Sequence, residues 1–360
     1  MKLGARILKT GIAIVLSLFL AEVFQLPSPV FAGIAAIFAL QPTVYRSYLT
    51  IIEQAQGNLI GAVIAVLFVL TLGNNIVIIG LAAIIVILIN LKLNIEKTIP
   101  LALVTIIAIM ENPGDTFIEF AIIRFSTIML GIFAAFMVNL VFLPPKYENK
   151  LFFKISNMMD EITRWIRMNT RNASDHHLLK NDIEKLKDMV IKLDQLYILY
   201  KEDRNYFKKN DIVKARKLVI YRQMISTTKR ALNVLKRLHR YENELSQLPE
   251  EFKLELQQQL DCLIDSHEQI MYRFAGKGKM PPNHEVGNFC LNRKDLFNLF
   301  LSQQDKLNEH ENDNVFFHTM QVVSAMVEYD ETLEHLDVLV NSFHSYHKEV
   351  NEVNFEEIQD

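Results

Sequence analysis

Pro144 and Pro145 divide this 360-residue chain into two kinds of sequence. From Gly11 to Pro145 almost every side chain is apolar, the charged exceptions being Glu22, Arg46, Glu53, Lys92, Glu96, Lys97, Glu111, Asp115, Glu119 and Arg124. So many long apolar runs would be insoluble in water, so this half predicts a membrane domain. Beyond Pro145 the sequence is charged and helix-forming and predicts a soluble domain. The expected fold is all-α: a polytopic membrane domain of about six transmembrane helices over 1–145, then a cytoplasmic antiparallel helical bundle over 146–360.

The six spans are read at 7–24, 30–40, 56–72, 76–91, 99–110 and 118–143. The second and fifth are shorter than the ~20 residues needed to cross a ~30 Å hydrocarbon core. They must therefore borrow neighbouring turns, be re-entrant, or sit where the bilayer is thin. Lys2, Arg6 and Lys9, then Arg46, then Lys92 and Lys97, then Lys146, Lys150 and Lys154 all fall on one side of this arrangement. The opposite connections carry no Lys or Arg, so the positive-inside rule puts both termini in the cytoplasm. No small-residue cleavage site followed by soluble sequence comes after the first apolar run, which is read as retained rather than as a signal peptide.

A weak internal repeat has a period of about 70 residues: Gly61 and Ala65 align with Gly131 and Ala135, and the two short spans fall opposite each other. Three spans per unit make successive copies inverted. Inverted repeats with short, Pro-flanked segments at matching positions (Pro29 and Pro42, Pro100 and Pro113) point to a transporter with its substrate between the repeats.

Ionisable side chains at bilayer depth are expensive and are functional candidates. Arg124 is read as the anchor for an anionic substrate, because its planar fork suits a carboxylate. Glu22, near the same end of the membrane, is read as a proton-coupling group or as a plain ion-pair partner of Arg124; Glu119 is the other pairing candidate. Glu53 is the second proton-coupling candidate. It belongs to a polar cluster with Gln41, Gln54, Gln56 and Asn58 that forms either an inner vestibule or ordinary interfacial sequence. Phe31, Phe38, Phe125, Phe133 and Phe136 either line an aromatic-accepting pocket or face lipid and neighbouring helices.

In the soluble half, helices are expected over 148–172, 174–207, 211–248, 249–275, from about Arg293, and over 314–347. The Gly276 to Pro282 stretch reads as a loop. Its Gly-Lys-Gly-Lys lacks the flanking residues of a phosphate-binding loop. Lys146 to Arg240 carries 23 basic against 11 acidic residues, and Tyr241 to Asp360 carries 8 against 24. The two halves either neutralise each other by packing or present a basic face to anionic lipid; no nucleic-acid-binding motif accompanies the charge. Cys262 and Cys290 match no metal or redox spacing and are read as free thiols. Ten histidines, among them His176, His177, His344 and His347, show no set of four at ligand spacing, so no metal and no cofactor is expected. No nucleophile–base arrangement is visible, so the chain is not expected to be an enzyme.

The segment from Leu26 to Thr43, LPSPVFAGIAAIFALQPT, resembles the aromatic acid exporter family within the fusaric-acid-resistance-like superfamily. The likeness rests on an Ala/Gly-rich short span after a Pro-containing turn, ending in Gln41-Pro42-Thr43 and followed by a helix carrying Gly57 and Gly61. The long helical tail is similar to the cytoplasmic domain of the Gram-positive branch. This resemblance implies a cell-membrane exporter of aromatic carboxylic acids, proton-driven, with a homodimer completing the translocation unit. Arg124, Gln41 and Phe38 are then the expected substrate-binding residues, and Glu22 and Glu53 the proton-coupling ones. The alternative is a non-transporting membrane scaffold whose helical domain recruits a partner.

Overall fold

The computed structural model describes residues 5–111, 117–141, 147–171, 173–202, 211–276, 293–302 and 313–346. Among these residues there are 13 α-helices, one short 3-10 turn and no strand. The chain divides into two compact units, one of Met1–Pro145 with Glu202–Arg204 and one of Lys146–Lys201 with Asn205–Asp360. Pro144 and Pro145 themselves lie outside the described residues.

The first unit contains α1 (Ala5–Val23), α2 (Val30–Ala39), α3 (Val44–Leu72), α4 (Ile76–Lys92), α5 (Ile99–Met110) and α6 (Phe117–Val141). By length and composition α3 and α6 are the two described helices able to cross a membrane alone. The apolar residues of α2, α4 and α5 form shorter helices of 10, 17 and 12 residues. Prolines start both short helices: Pro29 caps α2 and Pro100 sits in the first turn of α5. Proline lacks an N–H, and the first turn is where none is needed. α3 begins twelve residues before the expected third span, because Thr43 caps it by accepting a hydrogen bond from the Arg46 N–H (3.2 Å). It ends at Gly73, whose φ of 84° lies in the left-handed region that glycine enters freely.

The second unit contains α7 (Tyr147–Thr170), α8 (His176–Glu202), α9 (Asp211–Arg240), α10 (Glu242–Ser246), α11 (Glu250–Phe274), α12 (Arg293–Ser302) and α13 (Asp313–Tyr346). The stripe Phe152, Ile155, Met159, Ile162 and Ile166 of α7 is buried, as its spacing predicts. It packs in one apolar core with Tyr221, Ile264, Phe274, Tyr329 and Phe343. α9 touches α7 and α13, and α11 touches the same two helices, closing a ring of four.

The directions in that ring correct the antiparallel expectation. Arg230 pairs with Glu328 and Arg237 with Gln321, so α9 and α13 run antiparallel. His267 meets Tyr329 and Arg273 meets Asp337, so α11 and α13 run parallel. α12 lies between them in the chain and packs against α13.

The single helix expected over 211–248 is broken at Tyr241, with α10 starting anew. Opposite charges of the basic and acidic halves meet in Arg230–Glu328 (2.6 Å) and Arg167–Asp265 (2.9 Å), as the neutralising reading expects. Cys262 is disulfide-bonded, which corrects the free-thiol expectation; Cys290 lies outside the described residues. The Gly/Pro loop after Gly276 lies outside them too.

Candidate functional site

The first unit is organised by the 70-residue offset. α2 packs on α6 and α5 packs on α3, so each short helix lies against the long helix of the other half. A Cβ placed on Gly61 would stand 3.0 Å from the backbone oxygen of Ala102. One placed on Gly131 would approach the backbone oxygen of Ala32 to 2.1 Å. Gly61 and Gly131 are 70 residues apart, and so are Ala32 and Ala102. The same small-residue contact is therefore made twice, in reciprocal places. Such contacts let helix backbones approach closely where lipid provides no hydrophobic drive.

The long helices carry a second pair at this offset, Gln54 on α3 and Arg124 on α6. Both are buried, at 2% and 3% exposure. The Gln54 Oε1 atom and the Arg124 Nε and Nη2 atoms have no hydrogen-bond partner among the described residues. The Arg124 guanidinium lies over the ring of Phe31 on α2, a cation–π arrangement that leaves Nε and Nη2 unused. No described ion pair joins Arg124 to Glu22 or Glu119, so the plain salt bridge weighed from the sequence is not formed. A buried cation with idle donors is costly unless something anionic meets it.

A third feature knits the start of α3 to its neighbours. Asn139 on α6 donates through Nδ2 to the Gln41 carbonyl (3.0 Å), the Thr43 carbonyl (3.2 Å) and Ser47 Oγ (2.7 Å). Its Oδ1 accepts from Lys9 Nζ on α1 (3.3 Å). The Gln41-Pro42-Thr43 segment thus holds α2, α3 and α6 together through its backbone, while Thr43 caps α3. Across the unit, Thr105 Oγ1 on α5 donates to Asn58 Oδ1 on α3 (2.7 Å). Asn139→Leu should destabilise the unit by roughly 1–3 kcal/mol, because buried partners are left unmade. A matching fall in the detergent melting temperature checks this, with Leu140→Ala, at an exposed neighbour, as the comparison.

Of the residues predicted from sequence, Arg124 is buried, Gln41 and Glu53 are half-buried, and Glu22 and Phe38 are exposed. The aromatic ring against Arg124 is that of Phe31, one of the five phenylalanines weighed from the sequence. Lys9 and Asn139 were missed, although each is a polar residue at an apolar helix position, which is the signal that picked out Arg124. In the second unit the structure gathers His176, His239 and Glu242, with side-chain ligand atoms within 4.8 Å of one another. Sequence spacing hid this group because its members come from α8, α9 and α10.

Described residues that are all helical or in turns, with long apolar helices and pairwise small-residue contacts, have the character of a membrane protein. Comparison with known families agrees. A model described as aromatic acid exporter family member 1 matches residues 1–142, and one described as fusaric acid resistance protein family matches residues 99–281. The UPF0421 protein YgaE of Bacillus subtilis is 53% identical over 357 residues, 99% of this chain and 100% of that protein. A UPF0421 protein of Oceanobacillus iheyensis is 31% identical over 196 residues, 54% of this chain and 56% of its own. One from Staphylococcus haemolyticus is 29% identical over 222 residues, 58% of this chain and 65% of its own. The chain belongs to the fusaric acid resistance protein family and groups with its UPF0421 relatives. These families are of the transporter type and are integral to the membrane.

Proposed function

We propose that this protein exports aromatic carboxylic acids, or related small amphipathic anions, from the cytoplasm across the cell membrane, driven by the proton gradient. The observation that carries the reading is Arg124: a buried guanidinium, stacked on Phe31, whose Nε and Nη2 donors are idle. A fork of idle donors beside an aromatic face is the chemistry that takes a carboxylate on an aromatic ring. Gln41 and Phe38 line the path of the substrate in this reading, and Glu22 and Glu53 carry the coupling proton.

The arrangement that fits this activity is six helices crossing the bilayer as two inverted units of three, both termini and the second unit in the cytoplasm. The basic residues at the helix ends and connections of the first unit then face inward. In inverted units the positions of Arg124 and Gln54 face opposite mouths, giving an outer and an inner polar station for alternating access. The short α2 and α5 cross only by packing on α6 and α3. A homodimer completes the translocation unit.

Cells making the Arg124→Ala protein should retain 4-hydroxybenzoate that wild-type cells expel, with affinity reduced roughly 10–100-fold by loss of a charged hydrogen-bonding anchor. Arg124→Lys should recover only part of the activity, because a point charge does not reproduce the fork. Glu22→Gln or Glu53→Gln should weaken the dependence on the pH gradient more than substrate affinity. Equal retention in wild-type, variant and empty-vector cells contradicts the proposal and favours a scaffold.

A further inference from the structure

Three helix ends of the second unit meet at one place. His176 is the first residue of α8, His239 lies in the last turn of α9, and Glu242 is the first residue of α10. Local sequence fixes each position. Asp175 caps α8 by accepting from the N–H groups of His177 (2.9 Å) and Leu178 (3.0 Å), which holds His176 at the helix start. Tyr241 separates α9 from α10 and turns the chain so that Glu242 comes back beside the end of α9. The rings of His176 and His239 lie 4.2 Å apart at their centroids, and His176 Nδ1 is 3.1 Å from Glu242 Oε2.

A hydrogen bond between His176 and Glu242 accounts for two of these residues but not the third. The Nδ1 atom of His239 is buried and has no hydrogen-bond partner. An idle ring nitrogen is the atom through which histidine binds a metal.

We propose that His176, His239 and Glu242 form a binding site for a divalent transition metal, with zinc the best match to the donor set. Two imidazoles and one carboxylate make a three-ligand set that leaves a fourth position for water or an incoming ligand. Ligand atoms around a tetrahedral zinc stand about 3.4 Å apart, from bond lengths of about 2.0–2.2 Å. The three ligand atoms already lie within 4.8 Å of one another and close to that spacing by small rotamer shifts of exposed and half-buried side chains. Binding there ties the ends of α8, α9 and α10 together and stiffens this end of the unit. The site is independent of the transport reading, because none of its residues belongs to the first unit.

The test uses purified full-length protein in detergent, stripped of metal and titrated with Co2+. The expected result is one tightly bound Co2+ per chain with the intense visible absorption of a tetrahedral site, displaced by Zn2+, together with a rise in melting temperature. His176→Ala, His239→Ala and Glu242→Gln should each weaken Co2+ binding at least about tenfold, since even groups that merely support metal ligands matter roughly 10–100-fold. His335→Ala, at an exposed histidine elsewhere, should change nothing. Glu242→Gln preserves shape and keeps the test valid if a histidine variant folds poorly. No tetrahedral Co2+ spectrum in the folded wild-type protein, or the same affinity in Glu242→Gln and His176→Ala, overturns the proposal.

Discussion

Gly131→Ala should disrupt the packing of α2 on α6, a large effect for the addition of one methyl group. The new Cβ would lie 2.1 Å from the backbone oxygen of Ala32, and a carbonyl cannot rotate aside as a side-chain tip can. Overpacking against a rigid neighbour costs on the order of 3 kcal/mol or more, against about 1 kcal/mol gained from better helix propensity. Gly61→Ala meets the Ala102 oxygen at 3.0 Å, so it should be milder. Gly80→Ala has nothing within 4 Å and should be neutral or slightly stabilising. The order of melting temperatures in detergent, lowest for Gly131→Ala and highest for Gly80→Ala, checks this. Equal melting temperatures for all three would mean that the reciprocal glycine contacts do not hold the unit together.

The second unit should lose stability as pH falls from about 6.5 towards 3, because of His267. This side chain is fully buried on α11, its Nδ1 lies 2.9 Å from the Tyr329 hydroxyl, and its Nε2 has no partner. Burial disfavours the charged ring and pushes its pKa down to about 3. The unfolded chain, with a histidine near 6.5, therefore binds a proton that the folded chain refuses. Stability from this group is fully present above about 6.5 and is lost by up to roughly 1.4 kcal/mol per pH unit as pH falls through that window. Glu268 and Asp330 act oppositely, since burial raises both carboxyls. The comparison of wild type with His267→Gln isolates the histidine. Trp165, the single tryptophan, packs against the core of this unit and reports its unfolding in urea by fluorescence. The wild-type midpoint should fall more steeply between pH 7 and pH 5 than that of His267→Gln; parallel slopes would refute the assignment.

Much of the helical framework was legible because apolar runs in a membrane protein are bounded by obvious punctuation. Asn75 and Lys92 bracket α4, and Pro29 and Pro100 start the short helices. The start of α3 was not, because Arg46, Glu53, Gln54 and Gln56 interrupt the apolar pattern while Thr43 caps a helix that periodicity alone places later. Nothing in the sequence marks the break at Tyr241: no Gly or Pro stands there, and the chain turns because tertiary packing requires it. Parallel packing of α11 on α13 was equally hidden, since it depends on which helices become neighbours rather than on local pattern.

The candidate site was half legible. Arg124 stands out as a lone cation in an apolar helix, and the 70-residue offset that aligns Gly61 with Gly131 was readable. Which of the five phenylalanines meets Arg124 depends on where α2 crosses α6, where Gly131 comes close to Ala32. The His176, His239 and Glu242 group lay beyond reach for a similar reason, its members being distributed over three helices.

The central claim is that Arg124 anchors the anion in a proton-driven exporter. Flux of labelled 4-hydroxybenzoate into proteoliposomes holding purified protein, under an imposed pH gradient, tests it most directly. The account predicts gradient-dependent flux with the wild-type protein and, at limiting substrate, flux at least about tenfold lower with Arg124→Ala, both proteins being equally folded and inserted. Wild-type protein that moves no aromatic acid, or an Arg124→Ala protein that moves it at the wild-type rate, would contradict it.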